Sequence, residues 1–105
     1  MGWLLTLRLT PIQVELIRET AHNLLGRNVR VRLFGSRTCD TSRGGDIDLL
    51  FETDSVLPNR AEAICRLYGA LTMALGERKW DILLKDAVTP DAKIFEIANR
   101  TGVLL

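Results

Sequence analysis

Asp46 and Asp48 stand two residues apart in GGDIDLLF, among Ile47, Leu49, Leu50 and Phe51. An apolar run of this kind reads as a largely buried strand, where a carboxylate is costly unless a cation or hydrogen bonds compensate it. Side chains at i and i+2 of a strand leave from the same face. The two carboxylates therefore project together, from Cα atoms about 6.6 Å apart at ~3.3 Å rise per residue. Two short carboxylates so placed can share hard cations, and oxygen donors with positions left to water suit Mg²⁺. Two such ions ~3.5–4 Å apart can clamp a phosphoryl displacement. A third acid, Asp81, lies in KWDILLK between Trp80 and Ile82. Set on a strand beside the first pair, it would complete a three-carboxylate cluster, with one carboxylate to serve as base for an incoming nucleophile.

Gly35 and Ser36, just upstream, have a matching use. A glycine at a strand end lets backbone approach a phosphate closely, and a helix beginning there points N–H groups at it. The Ser36 hydroxyl adds a hydrogen bond, and Arg37 and Arg43 can neutralise phosphate charge. Nine residues separate Ser36 from Asp46, enough for the chain to turn and return alongside.

The elements that must hold these residues follow from pattern. Thr10 and Pro11 open a helix that carries Ile12, Leu16, Ile17, Leu24 and Leu25 and stops at Gly26. Residues 28–34 alternate Val29, Val31 and Leu33 with Arg30, Arg32 and Phe34, a strand whose arginines form its polar face. RTCDTSRGG is a turn-rich return with room for one short helical turn. A second strand runs from Asp46 to Glu52, and a helix opened by Pro58 and Asn59 runs to Gly76. Residues 79–85 form a third strand, and a last helix begins at Pro90 and Asp91 and loosens near Gly102. The link between the first two strands is too short for a crossover helix, so they are antiparallel. The expected fold is α+β, a mixed sheet of about three strands packed with helices.

Composition sets the outer limits. The chain has 105 residues, 47% hydrophobic and 26% charged, which suits one domain spanning residues 1–105. A net charge of +1 gives no general attraction to nucleic acid or membrane surfaces. The opening MGWLLTLRLT is broken by Arg8 and lacks a cleavage site, so residues 1–9 read as an extended arm and not a targeting segment. Cys39 and Cys65 show neither metal-ligand spacing nor a disulfide framework, as expected of reduced thiols in the cytoplasm. His22 lies in the amphipathic first helix and reads as a boundary residue. No Gly-Lys-Ser/Thr phosphate loop and no dinucleotide fingerprint occurs.

FGSR, then nine residues to GDIDL, with Asp81 on a later strand, resembles the minimal nucleotidyltransferase branch of the polymerase β-type nucleotidyltransferase superfamily. The resemblance runs from about Leu7 to the C-terminus. It implies a polymerase β-like fold and transfer of a nucleoside monophosphate from a triphosphate to an acceptor hydroxyl. Under it, Asp46, Asp48 and Asp81 are catalytic metal ligands for two Mg²⁺ ions, with Mn²⁺ as a substitute. Gly35 and Ser36 hold the triphosphate of ATP, and Arg37 and Arg43 assist. Many such domains are antitoxins paired with a HEPN-domain RNase toxin, which they silence by adenylylation; a partner protein of that kind is thus expected. Two alternatives stay open: a binding module that neutralises its partner by occlusion, and a transferase acting on a small molecule or an RNA end. Near-zero net charge weighs against nucleic acid as a direct partner, and a homo-oligomer remains open.

Overall fold

Thr10 starts the first helix through a reciprocal pair of hydrogen bonds. Its hydroxyl accepts from the Gln13 N–H at 3.1 Å while the Gln13 side chain accepts from the Thr10 N–H at 2.9 Å. This capping box satisfies two otherwise orphaned donors, and Pro11 occupies the first helical position, where its missing N–H is harmless. The computed structural model describes residues 9–34, 47–77 and 79–105. In chain order the elements are α1 (Pro11–Leu25), β1 (Arg30–Phe34), β2 (Ile47–Glu52), α2 (Arg60–Leu75), β3 (Trp80–Lys85), α3 (Lys93–Thr101) and β4 (Val103–Leu104). Gly26 and Gly76 end α1 and α2 with φ of +98° and +94°, a region that L side chains avoid. Asn59 caps α2, accepting from the Glu62 N–H at 3.0 Å.

The strands form one mixed sheet in the order β3-β2-β1-β4. β1 pairs antiparallel with β2, as the short connection requires. β3 pairs parallel with β2, with α2 supplying the crossover that a parallel pair needs. The sheet has four strands and not about three. The addition is β4, which follows Gly102 directly and pairs antiparallel with β1; two residues are too few for alternation to show. The other correction concerns α3. It begins at Lys93, with Ala92 at the N-cap position and no side chain capping it.

One face of the sheet carries the main core. Val31, Leu33, Ile47, Leu49, Phe51, Trp80 and Leu84 pack with Ile17, Ala21 and Leu25 of α1 and Leu67 and Leu71 of α2. Leu9, just before the α1 cap, is buried with them. Not every apolar residue of the helices reaches the core: Ile12, Tyr68, Ile94 and Ile97 are exposed. On the opposite face α3 packs on β1 and holds the fully buried Ala98. The α3–β4 turn admits only glycine at 102. A Cβ there would collide with the Ala98 carbonyl oxygen and lie 3.3 Å from the Arg32 Cβ and the Leu33 oxygen.

Past β3 the chain is locked by Asp86, a buried carboxylate that the strand and helix patterns did not single out. It accepts from the Thr89 hydroxyl at 2.6 Å, the Leu57 N–H at 2.9 Å and the Val88 N–H at 3.1 Å. The bond from Thr89 is the main reason its pKa falls to about 2; the Leu57 and Val88 N–H groups and the Arg60 charge add to it, and burial opposes. The Asp86–Thr89 spacing after a strand is a side-chain-to-backbone turn signal, so this lock was visible in principle.

Two outcomes are expected. A folded-state pKa below the unfolded value near 3.9 contributes stability that is complete above that value and is lost as pH falls through about 2. Wild type should lose urea resistance between pH 4 and pH 2, and Thr89→Val, with a smaller shift, should lose less there while melting lower at neutral pH. Gly102→Ala should cost about 1–3 kcal/mol in urea unfolding, the usual penalty for overpacking.

Candidate metal and nucleotide site

The parallel register of β2 and β3 decides what stands next to what. Ile47 pairs with Trp80, Asp48 with Asp81, Leu50 with Leu83 and Glu52 with Lys85. Across β2, Phe34, Arg32 and Arg30 of β1 stand opposite Asp48, Leu50 and Glu52. Since alternate residues share a face, the sheet face away from the main core carries three rows. Phe34, Asp48 and Asp81 form the first; Arg32, Leu50 and Leu83 the second; Arg30, Glu52 and Lys85 the third.

The first row brings two of the three expected carboxylates together. Asp48 is half-buried and Asp81 exposed, on strands whose axes lie about 4.8 Å apart. Asp81 thus departs from the apolar setting that its sequence neighbours suggested: Trp80 and Ile82 turn to the core face and leave it in solvent. It makes no ion pair among the described residues. Two carboxylates on adjacent strands are hard oxygen donors with room for water, the donor set that Mg²⁺ takes. No group of three or more metal-ligating side chains occurs among the described residues. Asp46, Gly35, Ser36, Arg37 and Arg43, the remaining expected site residues, lie outside the described residues, as do Cys39, the arm through Arg8 and the short helical turn expected in the return loop.

At the far end of the same face, charge is balanced. Glu52 lies 3.8 Å from Arg30 and 3.6 Å from Arg32, Arg30 lies 3.3 Å from Asp54, and Lys85 pairs with Asp91. A cleft of about 540 Å³ opens there between the sheet and α3, lined by Glu52, Lys85, Asp91, Lys93, Phe95 and Glu96 among others. Its acids and lysines largely cancel. Lys85, a residue that could have reached phosphate, belongs to this balanced end.

Like charges directly opposite one another weaken a strand pair. Without added divalent cation, Asp81→Asn should leave stability unchanged or raise it by up to about 1 kcal/mol, measured by urea unfolding at neutral pH in chelator.

No protein-family model matches the chain, and no curated protein matches it. Among solved structures it is similar to a chain in the crystal structure of a mutant of the toxin–antitoxin MntA-HpeT. The TM-score is 0.53 at 22% identity, over 88% of this chain. The likeness spans 66% of that chain's own length. At this identity it is a likeness of fold alone; among the described residues that fold is three helices and a four-stranded mixed sheet. No helix among the described residues is long and apolar enough to cross a membrane.

Proposed function

We propose that the chain is a Mg²⁺-dependent nucleotidyltransferase that moves AMP from ATP to a hydroxyl of a partner protein, an RNase toxin of the HEPN class. The observation that carries this reading is the in-register apposition of Asp48 and Asp81 on one sheet face. A carboxylate without an ion-pair partner is a poor stabiliser but a suitable ligand, and among the described residues Asp81 fits that description. The fold it shares with a chain of a toxin–antitoxin complex supports the class of partner.

In this reading Asp48 and Asp81, with Asp46, hold the divalent ions. Gly35 and Ser36 receive the triphosphate through backbone N–H groups and a hydroxyl, with Arg37 and Arg43 against phosphate oxygens. When bound, Mg²⁺ supplies charge neutralisation at the phosphates and acidifies the acceptor hydroxyl. The acceptor oxygen bonds to the α-phosphorus while the bond from that phosphorus to the bridging oxygen of the β-phosphate breaks. Pyrophosphate leaves with that oxygen, and the hydroxyl proton passes to the Asp81 carboxylate. Asp81, the exposed member of the pair, is the one an incoming hydroxyl can reach.

The test is intact-mass analysis of the HEPN-class product of a neighbouring gene, purified with this chain, ATP and Mg²⁺. An increment of one AMP per acceptor hydroxyl is expected, falling roughly 10–100-fold or more in rate with Asp48→Asn or Asp81→Asn and absent in chelator. No increment, or one indifferent to both substitutions, would sink the proposal. Toxin neutralisation that persists in a folded Asp48→Asn, Asp81→Asn double variant would instead favour occlusion.

A further inference from the structure

α3 uses its apolar residues only in part. At 3.6 residues per turn, Ala98 faces the sheet and is fully buried, while Phe95 and Asn99 line the cleft beside Glu52 and Lys85. Ile94 and Ile97 then lie on the opposite flank, toward β4, the outer strand next to β1. They are 44% and 38% exposed. Leu104 of β4 joins them: it stands opposite Arg32, shares the face on which α3 lies, and is 56% exposed. Three large aliphatic side chains are thus brought together in solvent, whereas exposed apolar residues on a monomer are usually scattered. A nine-residue helix is marginal on its own, and among the described side chains of α3 only Ala98 is buried.

The rim of this patch is basic. Lys93 and Arg100 stand two turns apart on the solvent side of Ile94 and Ile97, both exposed. Neither makes an ion pair among the described residues. Arg100, in the last turn, suits the negative end of the helix dipole. Lys93, the first residue of α3, meets the positive end, where a cation is unfavourable. Its charge therefore does not serve the helix. The geometry points to a docking surface on which Ile94, Ile97 and Leu104 receive an apolar ridge of a partner protein, with acidic side chains of that partner against Lys93 and Arg100.

A second copy of the chain fits this surface badly. When two α3 helices pair antiparallel about a two-fold axis, the same flank of each meets, and the cations Lys93 and Arg100 confront their equivalents. The patch also lies on the sheet face that carries Asp48 and Asp81. From β4 to β3 there are three strand spacings, about 14 Å in all. That is less than the width of an ordinary interface of ~800 Å² per partner. One protein can therefore seat on α3 and β4 and still present a hydroxyl at Asp81, which the docking leaves free. The occupant is the acceptor protein of the proposed transfer, and to that extent the inference rests on that reading.

Calorimetric titration with the HEPN-class product of the neighbouring gene, without ATP and in chelator, tests it. Ile94→Asp and Ile97→Asp should each raise the dissociation constant about tenfold or more. Lys93→Glu combined with Arg100→Glu should weaken binding at low salt and flatten its dependence on salt. Ile94→Asp sets an acid in the first turn, where the helix dipole favours it, and circular dichroism with thermal melting checks the fold of every variant. Binding that fails in folded Ile94→Asp, even with no AMP transferred, supports the surface while the activity falls. Binding indifferent to these substitutions overturns the surface, even where AMP transfer proceeds; a variant that only melts lower would assign the patch to its own chain. A wild type that binds no partner, or a wild-type dimer abolished by Ile97→Asp, would equally overturn it.

Discussion

The parallel pairing of β2 with β3 is the constraint on which the remainder of the molecule rests. It places Ile47, Leu49 and Phe51 beside Trp80, Ile82 and Leu84 on the core face, and Asp48 beside Asp81 on the other. The magnitudes show which requirement wins. Burying an aliphatic or aromatic side chain gains about 1.5–3 kcal/mol, and three β2 residues on that face are at most 2% exposed. Two acids side by side oppose this by only ~0.2–1 kcal/mol, the scale of a cross-strand pair. A slip of one residue would turn every core side chain of the strand outward. The core therefore holds the carboxylates together against their own repulsion.

The far end of β3 is fixed by a different kind of interaction. Asp86 gathers donors from Leu57 before α2 and from Val88 and Thr89 after β3, while Arg60 at the start of α2 bonds the Leu84 carbonyl. These contacts tie the start of the crossover to the end of β3 and the short loop after it. The same end carries the paired charges Arg30, Arg32, Glu52 and Asp54. The sheet face thus differs along its strands, with ion pairs where the loops are locked and the Asp48–Asp81 row at the other end.

Much of this was legible in the sequence because it rests on local chemistry. Thr10, Pro11, Asn59, Gly26 and Gly76 mark helix ends by capping and by φ, alternation marks β1, and an apolar run marks β2. The antiparallel β1–β2 pair followed from loop length alone. What escaped had tertiary causes. β4 exists because Gly102 lets the chain lie against β1, which no two-residue pattern reveals. The late start of α3 has no side-chain cap to mark it, since Ala92 stands at the N-cap position. At the site, spacing and strand period found Asp48 and Asp81, but their register across the pair is a property of the sheet. Gly35, Ser36, Arg37, Arg43 and Asp46 rest on the motif, since they lie beyond the described residues.

Position at the edge gives the two acids unequal surroundings. Asp48 lies between Phe34 and Asp81, flanked by strands on both sides. Asp81 has a strand on one side only, and it is the exposed member of the pair. A ligand at Asp48 meets a surface built wholly by this chain, whereas whatever approaches Asp81 from the open side must bring its own wall. A third strand there would have buried Asp81 between neighbours and made the like-charge contact harder to hydrate. Leaving β3 at the edge lets water screen the pair while the core keeps it in register.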